Sequence, residues 1–217
     1  LRAMPSRYSD EQIVDMCRAS KSDMPARCAR AAGIKPKIED VVNVCKNAEF
    51  KTPGECLAYN IVTSKLSRDL ILSECQSATP IPSEIIVVEG LQTELAYYRR
   101  GAETPLVSKI VVIVHNQYGS QMTDQSLLPK LYANVDRGRE LGAQLVGLRS
   151  VSADEEGRFT FSPVNIRSRM GGVFWIRIGG AGIRSTRIPF RVLMQEVYDS
   201  CTGLATGCNV VYHSLKS

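Results

Sequence analysis

The hydrophobic positions of the first third of the chain follow a helical period and repeat themselves. Residues 13–17 match residues 41–45 and 71–75, and each of these segments ends in a cysteine. Apolar residues at 13, 14, 16 and 17 form one stripe of an amphipathic helix. The matching cysteines are spaced by 28 residues (17 to 45) and then by 30 residues (45 to 75). Self-similarity at this period indicates a helical repeat.

The residues around the stripes predict that each repeat unit is a helical hairpin. A proline follows eight residues after each of the first two cysteines, at Pro25 and Pro53, where it suits the first turn of a second helix. Ser9 and Gln12 have the spacing of a capping box for the first helix. The third unit, residues 66–78, is truncated, so the predicted helical domain covers residues 1–79.

Beyond a short linker at 79–82, rich in proline, the period of the pattern changes from helical to strand-like. Turn residues such as Asp154 and Gly157 separate short apolar segments, which favours an antiparallel sandwich over residues 80–197. Residues 198–217 are predicted to be a Cys-looped tail or the start of a further module. The predicted fold class is α+β in two segregated parts. The predicted strands are 85–88, 91–98, 110–115, 130–135, 144–148, 158–161, 173–178 and 189–193.

Several of these strands resemble a known pattern. Residues 111–119 resemble the second strand and following turn of filamin-type and bacterial Ig-like repeats, and residues 154–161 resemble their "D-G-x-F-x-F" hairpin. Residues 172–178 and the "P-F-x-V" segment at 189–192 resemble the next and the closing strand. The resemblance implies an Ig-like sandwich that acts as a spacer, adhesive or scaffold module. Together with the Cys-containing helical units, it is similar to large modular cell-surface proteins. The chain lacks the Cys…Trp…Cys core of antibody domains.

Seven cysteines without any C-x-x-C pair, and only two histidines, do not match the templates of metal sites. Such a set is typical of disulfides in an oxidising compartment, which predicts an extracellular or cell-surface protein. The alternative is a set of reduced, buried, apolar thiols in the cytosol. The predicted pairs lie within the hairpins and the tail, and Cys75 remains as a thiol for an intermolecular bond. These pairs are Cys17 with Cys28, Cys45 with Cys56, and Cys201 with Cys208.

The net charge of the chain is +5, and arginine outnumbers lysine by 18 to 9. Residues 130–192 contain 11 basic and five acidic residues. This stretch has two interpretations, a solvated face with paired charges or a surface for an anionic partner such as an acidic polysaccharide or an acidic subunit. Aromatic residues do not interleave with the arginines, so a nucleic-acid partner is not expected. The candidate polyanion-binding residues are Arg158, Arg167, Arg169, Arg177, Arg184 and Arg187.

No catalytic or cofactor-binding constellation emerges from the sequence. His115 could pair with Ser120, but no nucleophile elbow and no acidic partner accompany them. The acidic cluster 154–156 is explained by a turn that ends at Gly157. The glycine-rich stretch 179–182 lacks the lysine and hydroxyl residue of a phosphate-binding loop. The longest apolar run, 110–114, is far shorter than the roughly 20 residues of a membrane helix, so no membrane span is expected.

The sequence therefore predicts a non-enzymatic structural or adhesive module of a large extracellular repeat protein. We expect it to assemble with copies of itself or with other subunits into a filament, appendage or matrix, with no cofactor. The alternative function is a carbohydrate- or polyanion-binding module that uses the arginine-rich face. The start at Leu1 and the Cys-containing tail suggest a piece of a longer chain. Residues 188–193 are predicted to be an exposed edge strand used for self-association.

Overall fold

The structure is a computed structural model and describes residues 7–18, 20, 22–90, 96–98, 103–137, 143–147, 149–168 and 172–194. Two compact units make up the chain. The first contains Leu1–Glu84 and Val114–Met122, and the second contains Ile85–Ile113 and Thr123–Ser217. The described helices longer than one turn all lie in the first unit, and most strand residues lie in the second, so the predicted α+β fold in two segregated parts is confirmed. The predicted domain boundary at residue 79 stays a prediction.

Three of the described helices begin where the sequence places a capping residue or a proline. Ser9 accepts a hydrogen bond from the backbone N–H of Gln12, and the side chain of Gln12 accepts one from the N–H of Ser9, which completes the predicted capping box. The helices of the described residues are α1 (Asp10–Cys17), α2 (Met24–Ala31), α3 (Ile38–Cys45), α4 (Thr52–Thr63) and α5 (Arg68–Gln76). Pro25 and Pro53 lie in the first turns of α2 and α4.

The helices pack as successive hairpins, α1 with α2 and α3 with α4, followed by α5. The odd-numbered helices contact one another in series, and α2 also packs against α3 and α4. Met16, Val41, Leu57 and the cysteines of α2 to α5 fill the core of this unit with almost no exposed surface. The predicted helical-hairpin repeat is therefore what the first unit contains.

The second unit is built of two sheets. The described strands are β1 (Pro82–Glu89), β2 (Ala96–Tyr98), β3 (Glu103–Val107), β4 (Ile110–Asn116), β5 (Leu131–Arg137), β6 (Gln144–Gly147), β7 (Ser150–Val151), β8 (Arg158–Phe161), β9 (Val164–Arg167), β10 (Gly172–Gly180) and β11 (Ile183–Met194). The larger sheet has the order β7-β5-β10-β11-β1-β4-β8, with β2 pairing in parallel with β11, and the smaller has the order β3-β9-β6. The pairs β10–β11, β10–β5, β3–β9, β4–β8, β5–β7 and β6–β9 are antiparallel.

Alternating burial along these strands produces the core of the second unit. In β8, Phe159 and Phe161 are buried while their neighbours are exposed, as the alternating pattern predicts. Phe174 on β10 and Phe190 on β11 are equally buried and lie at paired positions. The turn before β8 is also the predicted one, since Asp154 accepts hydrogen bonds from the N–H groups of Glu156 and Arg158.

The prediction of an edge strand at residues 188–193 is wrong. The strand β11 lies inside the larger sheet, between β10 and β1. Val192 on this strand is 1% exposed. The isolated charge of Arg191 suggested an edge, but strands that are covered on one face also alternate charged and apolar residues.

Candidate functional site

Two disulfides join successive units of the helical repeat. Cys28 of α2 is bonded to Cys45 of α3, and Cys56 of α4 is bonded to Cys75 of α5, with Cα–Cα distances of 5.5 and 5.4 Å. Each bridge therefore connects the second helix of one hairpin to the first helix of the next. In the chain-entropy description, a bridge that closes a loop of this length contributes about 3 kcal/mol to the free energy of unfolding.

This pairing corrects the prediction that Cys17 bonds to Cys28 and Cys45 to Cys56. The prediction assumed that cysteines of one hairpin face each other. In the structure, α2 and α4 turn their cysteine-bearing faces toward the following hairpin, because α2 packs against α3 and α4 against α5 as well as against their own partners.

The unpaired thiol is also a different one from that predicted. Cys75 is bonded, so it is not the spare intermolecular thiol. Among the described cysteines, Cys17 at the end of α1 is the free one, and it is partly buried. Cys201 and Cys208 lie outside the described residues, and their pairing stays a prediction.

Ion pairs connect the same successive units along the row of odd-numbered helices. Lys46, just after α3, contacts Asp15 of α1 at 2.8 Å, and this hydrogen bond lowers the pKa of the Asp15 carboxyl. Arg68 of α5 donates from Nε to both carboxylate oxygens of Asp40 on α3 at 3.0 Å. Asp40 is buried, and its hydrogen bonds and its charge raise the pKa of the Arg68 guanidinium. Each junction between units thus carries one disulfide and one ion pair.

A turn after β4, residues 116–122, contacts the helices through a buried polar group. Asn116 donates from Nδ2 to Oε2 of Glu55 at 2.6 Å, and its Oδ1 accepts from the N–H groups of Tyr118 and Ser120. The other oxygen of Glu55 lies 3.0 Å from Lys51 Nζ. Burial raises the pKa of the Tyr118 hydroxyl. The sequence analysis missed this cluster.

The same turn contains the weak catalytic candidates His115 and Ser120. The backbone of His115 pairs with Gln121, and in the described part of the chain no hydrogen bond joins its side chain to Ser120. No group of three or more His, Cys, Asp or Glu side chains lies close enough to hold a metal ion within the described ranges. Among the described helices, none is both long enough and apolar enough to span a membrane.

The candidate arginines that the structure describes lie on four different strands. Arg158 lies on β8 and Arg167 on β9 of the smaller sheet, where it pairs with Glu103 at 3.0 Å. Arg184 lies near the start of β11 and is exposed. Arg169 lies outside the described residues. The structure brings together Arg177 and Arg187, which occupy paired positions on β10 and β11.

Arg177 borders a groove of about 480 Å³ on the exposed face of β5, β10 and β11. Arg187 is paired with Asp136 at 2.6 Å, whereas Arg177 has no hydrogen bond or ion pair with any described residue. Half-exposed Tyr132 lies on the same groove, opposite Gly179. The groove therefore combines the Arg177 guanidinium with an aromatic ring and with Asp136, whose carboxylate is paired with Arg187. Its lining residues also include Asn134 and Ser185.

No protein-family model matches the chain, and no curated protein sequence matches it. Several solved structures are similar over about half of the chain. Domains 4 and 5 of the S-layer protein SbsC are 16% identical, with 54% of this chain and 55% of that one covered and a TM-score of 0.34. A beta-glycosidase from Bacteroides vulgatus is 10% identical, with 53% and 15% covered and a TM-score of 0.35. The M1 domain from titin is 10% identical, with 54% and 96% covered and a TM-score of 0.22.

These likenesses are too slight to assign a common fold or function. The chain spans little more than half the length of the two-domain SbsC structure that it matches. What the protein does has to be inferred from its own residues.

Proposed function

We propose that this chain is a non-enzymatic structural module of an extracellular protein, which assembles with copies of itself or with other subunits into a filament, appendage or matrix. The observation that carries this proposal is the pair of disulfides between successive repeat units. Disulfides persist in oxidising compartments and are rare in the cytosol. Small helical units of this kind bury little apolar surface, so covalent bridges make a large contribution to their stability.

The second unit is proposed to be an Ig-like spacer of the kind that the filamin-type resemblance implies. Buried phenylalanines on β8, β10 and β11 give it a core of its own. No described cluster of side chains in either unit has the geometry of a nucleophile with its base. A scaffold role needs stable modules and contact surfaces rather than a reactive group.

The compartment is tested by peptide mapping of secreted protein without reduction. We expect linked peptides that contain Cys28 with Cys45 and Cys56 with Cys75. Free thiols at all four positions would contradict the disulfides and the extracellular assignment together. Assembly is tested separately by analytical ultracentrifugation over a range of protein and salt concentrations. A monomer at every concentration would contradict the assembling role.

The groove at Arg177 favours a second candidate function, the binding of an acidic polysaccharide. A guanidinium that forms no ion pair with the described residues suits a sulfate or carboxylate group, and an exposed tyrosine offers a face for a sugar ring. We expect Arg177→Ala to weaken binding to dextran sulfate about fivefold to tenfold, measured by isothermal titration calorimetry at low salt. Wild-type binding should weaken steeply as salt is added.

The matched control for this experiment is Arg167→Ala. Arg167 is also exposed, but its charge is compensated by Glu103 on the smaller sheet. Equal losses for the two variants would show non-specific attraction to the basic chain. No measurable binding by the wild type would exclude the second candidate.

A further inference from the structure

The second junction of the helical repeat, where the hairpin of α3 and α4 meets α5, contains a pocket of about 380 Å³. We call it the junction pocket. Leu57 of α4 and Ile71 of α5 line it and are buried. Ile61 and Leu66 also line it and are 37% and 44% exposed. The junction pocket therefore presents apolar surface that the described part of the chain leaves uncovered.

Three cationic side chains line the junction pocket, and two of them have no counter-ion among the described residues. Arg68 is paired with the buried Asp40. The side chains of Lys35 and Lys37 form no hydrogen bond and no ion pair with any described residue. Asp40 is the acidic residue among the described residues that line the pocket. The two ammonium groups are therefore available to a negatively charged ligand.

Two exposed acidic residues lie near Arg68 but are not among the residues that line the pocket. Glu39 and Asp69 lie in the first turns of α3 and α5, and their charges act on Arg68. An acidic side chain in a first turn complements the positive end of its own helix. These carboxylates reduce the positive charge around the junction pocket without occupying it. The charge that a ligand meets inside it comes from Lys35 and Lys37.

The first junction of the repeat shows the equivalent place closed by a side chain. Arg7 and Lys35 occupy equivalent positions, each ten residues before the first cysteine of its unit. Gly33 and Ile61 are likewise equivalent, each five residues after the second cysteine. The guanidinium of Arg7 donates to the carbonyl oxygen of Gly33 at 2.6 Å. At the second junction α4 continues through Ile61 to Thr63, and the side chain of Lys35 makes no such contact with a described residue. This difference leaves the second junction open.

The size and the lining of the junction pocket indicate a class of ligand. Pockets for small molecules have volumes of about 300–1,000 Å³ and combine a mostly apolar lining with a few polar groups. The volume here is near the lower limit, which suits one acyl chain rather than the two chains of a phospholipid. A polysaccharide has no apolar chain that would cover Ile61 and Leu66. A carboxylate at the end of an acyl chain suits the ammonium groups of Lys35 and Lys37.

We propose that the junction pocket binds a fatty acid. Its acyl chain packs on Ile61 and Leu66, and its carboxylate is bound by Lys35 and Lys37. The turn that carries Leu66 is fixed before binding, because Ser64 Oγ accepts a hydrogen bond from the N–H of Leu66 at 3.1 Å. The inference goes beyond the proposed function and does not rest on it.

The first experiment tests the class of ligand by isothermal titration calorimetry with the full chain. The probes are decanoate below its micelle-forming concentration, acetate and decyltrimethylammonium. We expect saturable binding of decanoate and binding of the other two that is at least about tenfold weaker. Acetate lacks the acyl chain, and decyltrimethylammonium carries the opposite charge. If decanoate did not bind, or if either of the other probes bound equally well, the proposal would be overturned.

The second experiment tests the apolar part of the site. We expect Leu66→Gln to weaken decanoate binding about fivefold, because the acyl chain loses an apolar contact. The matched control is Leu70→Gln, since Leu70 is 45% exposed and does not line the pocket. Equal affinities of the wild type and Leu66→Gln would overturn the proposal. Both side chains are exposed, so the helical circular dichroism should stay that of the wild type.

The third experiment tests the charged part of the site. The double variant Lys35→Gln and Lys37→Gln should bind decanoate about tenfold more weakly at low salt, and this difference should shrink as salt is added. The control is the double variant Lys65→Gln and Lys130→Gln, which removes the same charge from exposed lysines outside the pocket. Equal affinities of the two double variants would overturn the proposal.

A further measurement distinguishes a fatty acid from a membrane surface. The probe is a vesicle of phosphatidylcholine and phosphatidylglycerol in equal parts, and co-sedimentation of the full chain is measured. We expect Leu66→Gln to leave co-sedimentation unchanged. A loss of co-sedimentation in this variant would overturn the proposal in favour of a membrane surface.

Discussion

At the scale of single residues, the most constrained polar group is the amide of Asn116. Its Nδ2 donates to Glu55, and its Oδ1 accepts two backbone N–H groups of the following turn. Asn116 is 3% exposed and Glu55 is 7% exposed, so water does not replace a hydrogen bond that either side chain loses. A neutral amide is the one side chain of this size that offers a donor on one side and an acceptor on the other.

We expect Asn116→Asp to lower the free energy of unfolding by about 2–3 kcal/mol near pH 7.5. The new carboxylate keeps the two N–H contacts but faces the carboxylate of Glu55, which raises its pKa in the folded state above the unfolded value. A raised pKa of an acid destabilises the fold above that pKa, so the deficit should shrink as the pH falls toward about 4.5. Urea unfolding followed by helical circular dichroism at the two pH values measures this.

The control for this change is Asn43→Asp, an exposed position on α3. It introduces the same charge in the same unit at an exposed side chain, three residues after Asp40, whose own charge is compensated by Arg68. Its effect should stay within about 0.5 kcal/mol. If the loss in free energy of unfolding caused by Asn116→Asp did not depend on pH, the two carboxylates would not face each other.

Hydrogen bonds between residues close in the sequence can be predicted from it, whereas the hydrogen bond between Asn116 and Glu55 cannot. The capping box at Ser9 and the turn at Asp154 depend on residues three or four apart, and both were predicted. Glu55 and Asn116 are 61 residues apart. Nothing in the pattern around either residue marks it as buried, because glutamate and asparagine usually lie on the surface.

At the scale of elements, the repeat predicted the helices but not how they bond. Matching stripes and prolines placed the described helices of the first unit, yet the described bridges run between hairpins rather than within them. The spacing of two cysteines in the sequence shows how long a loop their disulfide would close. Which neighbour a cysteine-bearing helix face meets depends on how the helices pack. Among the strands, β9 was missed although Val164 and Ile166 alternate with more exposed residues. The strand β3 is also absent from the predicted strands, because it contains Pro105 and proline is rare inside strands.

The junction between α2 and α4 depends on a glycine. A Cβ atom at Gly54 would lie 2.0 Å from the carbonyl oxygen of Cys28, so the two backbones approach as closely as glycine allows. We expect Gly54→Ala to destabilise the helical unit by more than about 2 kcal/mol, because backbone atoms have to move apart. The change is measured as a lower urea midpoint of the helical signal.

Gly33→Ala provides the comparison for this substitution. Gly33 has a φ of +69° and no atom within 4 Å of the added Cβ, so its cost is that of the left-handed conformation alone, about 1 kcal/mol. If Gly54→Ala lowered the free energy of unfolding no more than Gly33→Ala does, the result would contradict the close approach of α2 and α4.

At the scale of the whole molecule, Gln117 forms hydrogen bonds with the segment at residues 79–81, next to the proposed domain boundary. The amide of Gln117 accepts from the N–H of Ile81 at 2.7 Å and donates to the carbonyl of Thr79 at 2.9 Å. The backbone N–H of Gln117 also donates to Ile81. The segment that the sequence predicts to be a linker is thus hydrogen-bonded to the turn after β4.

We expect Gln117→Ala to increase the rate of limited proteolysis at residues 79–83 about tenfold. Loss of two hydrogen bonds lowers the cost of local opening by roughly 1–2 kcal/mol, and cleavage follows the open population. Mass spectrometry of timed digests locates the cuts. Gln125→Ala, which removes one exposed hydrogen bond to Ala153, should leave this rate unchanged. Equal cleavage in all three proteins would contradict the restraint at Ile81.

The bridges between hairpins have a mechanical consequence. If the helical unit is pulled along the chain, the tension passes from Cys28 to Cys45 and from Cys56 to Cys75 through sulfur, and the polypeptide between them stays slack. The bridges have sequence separations of 17 and 19 residues. At about 3.4 Å per residue, each bridge prevents about 60 Å of chain from being extended. A stretched unit therefore lengthens in one short step and then stiffens, unless a reductant cuts the bridges and releases the stored length.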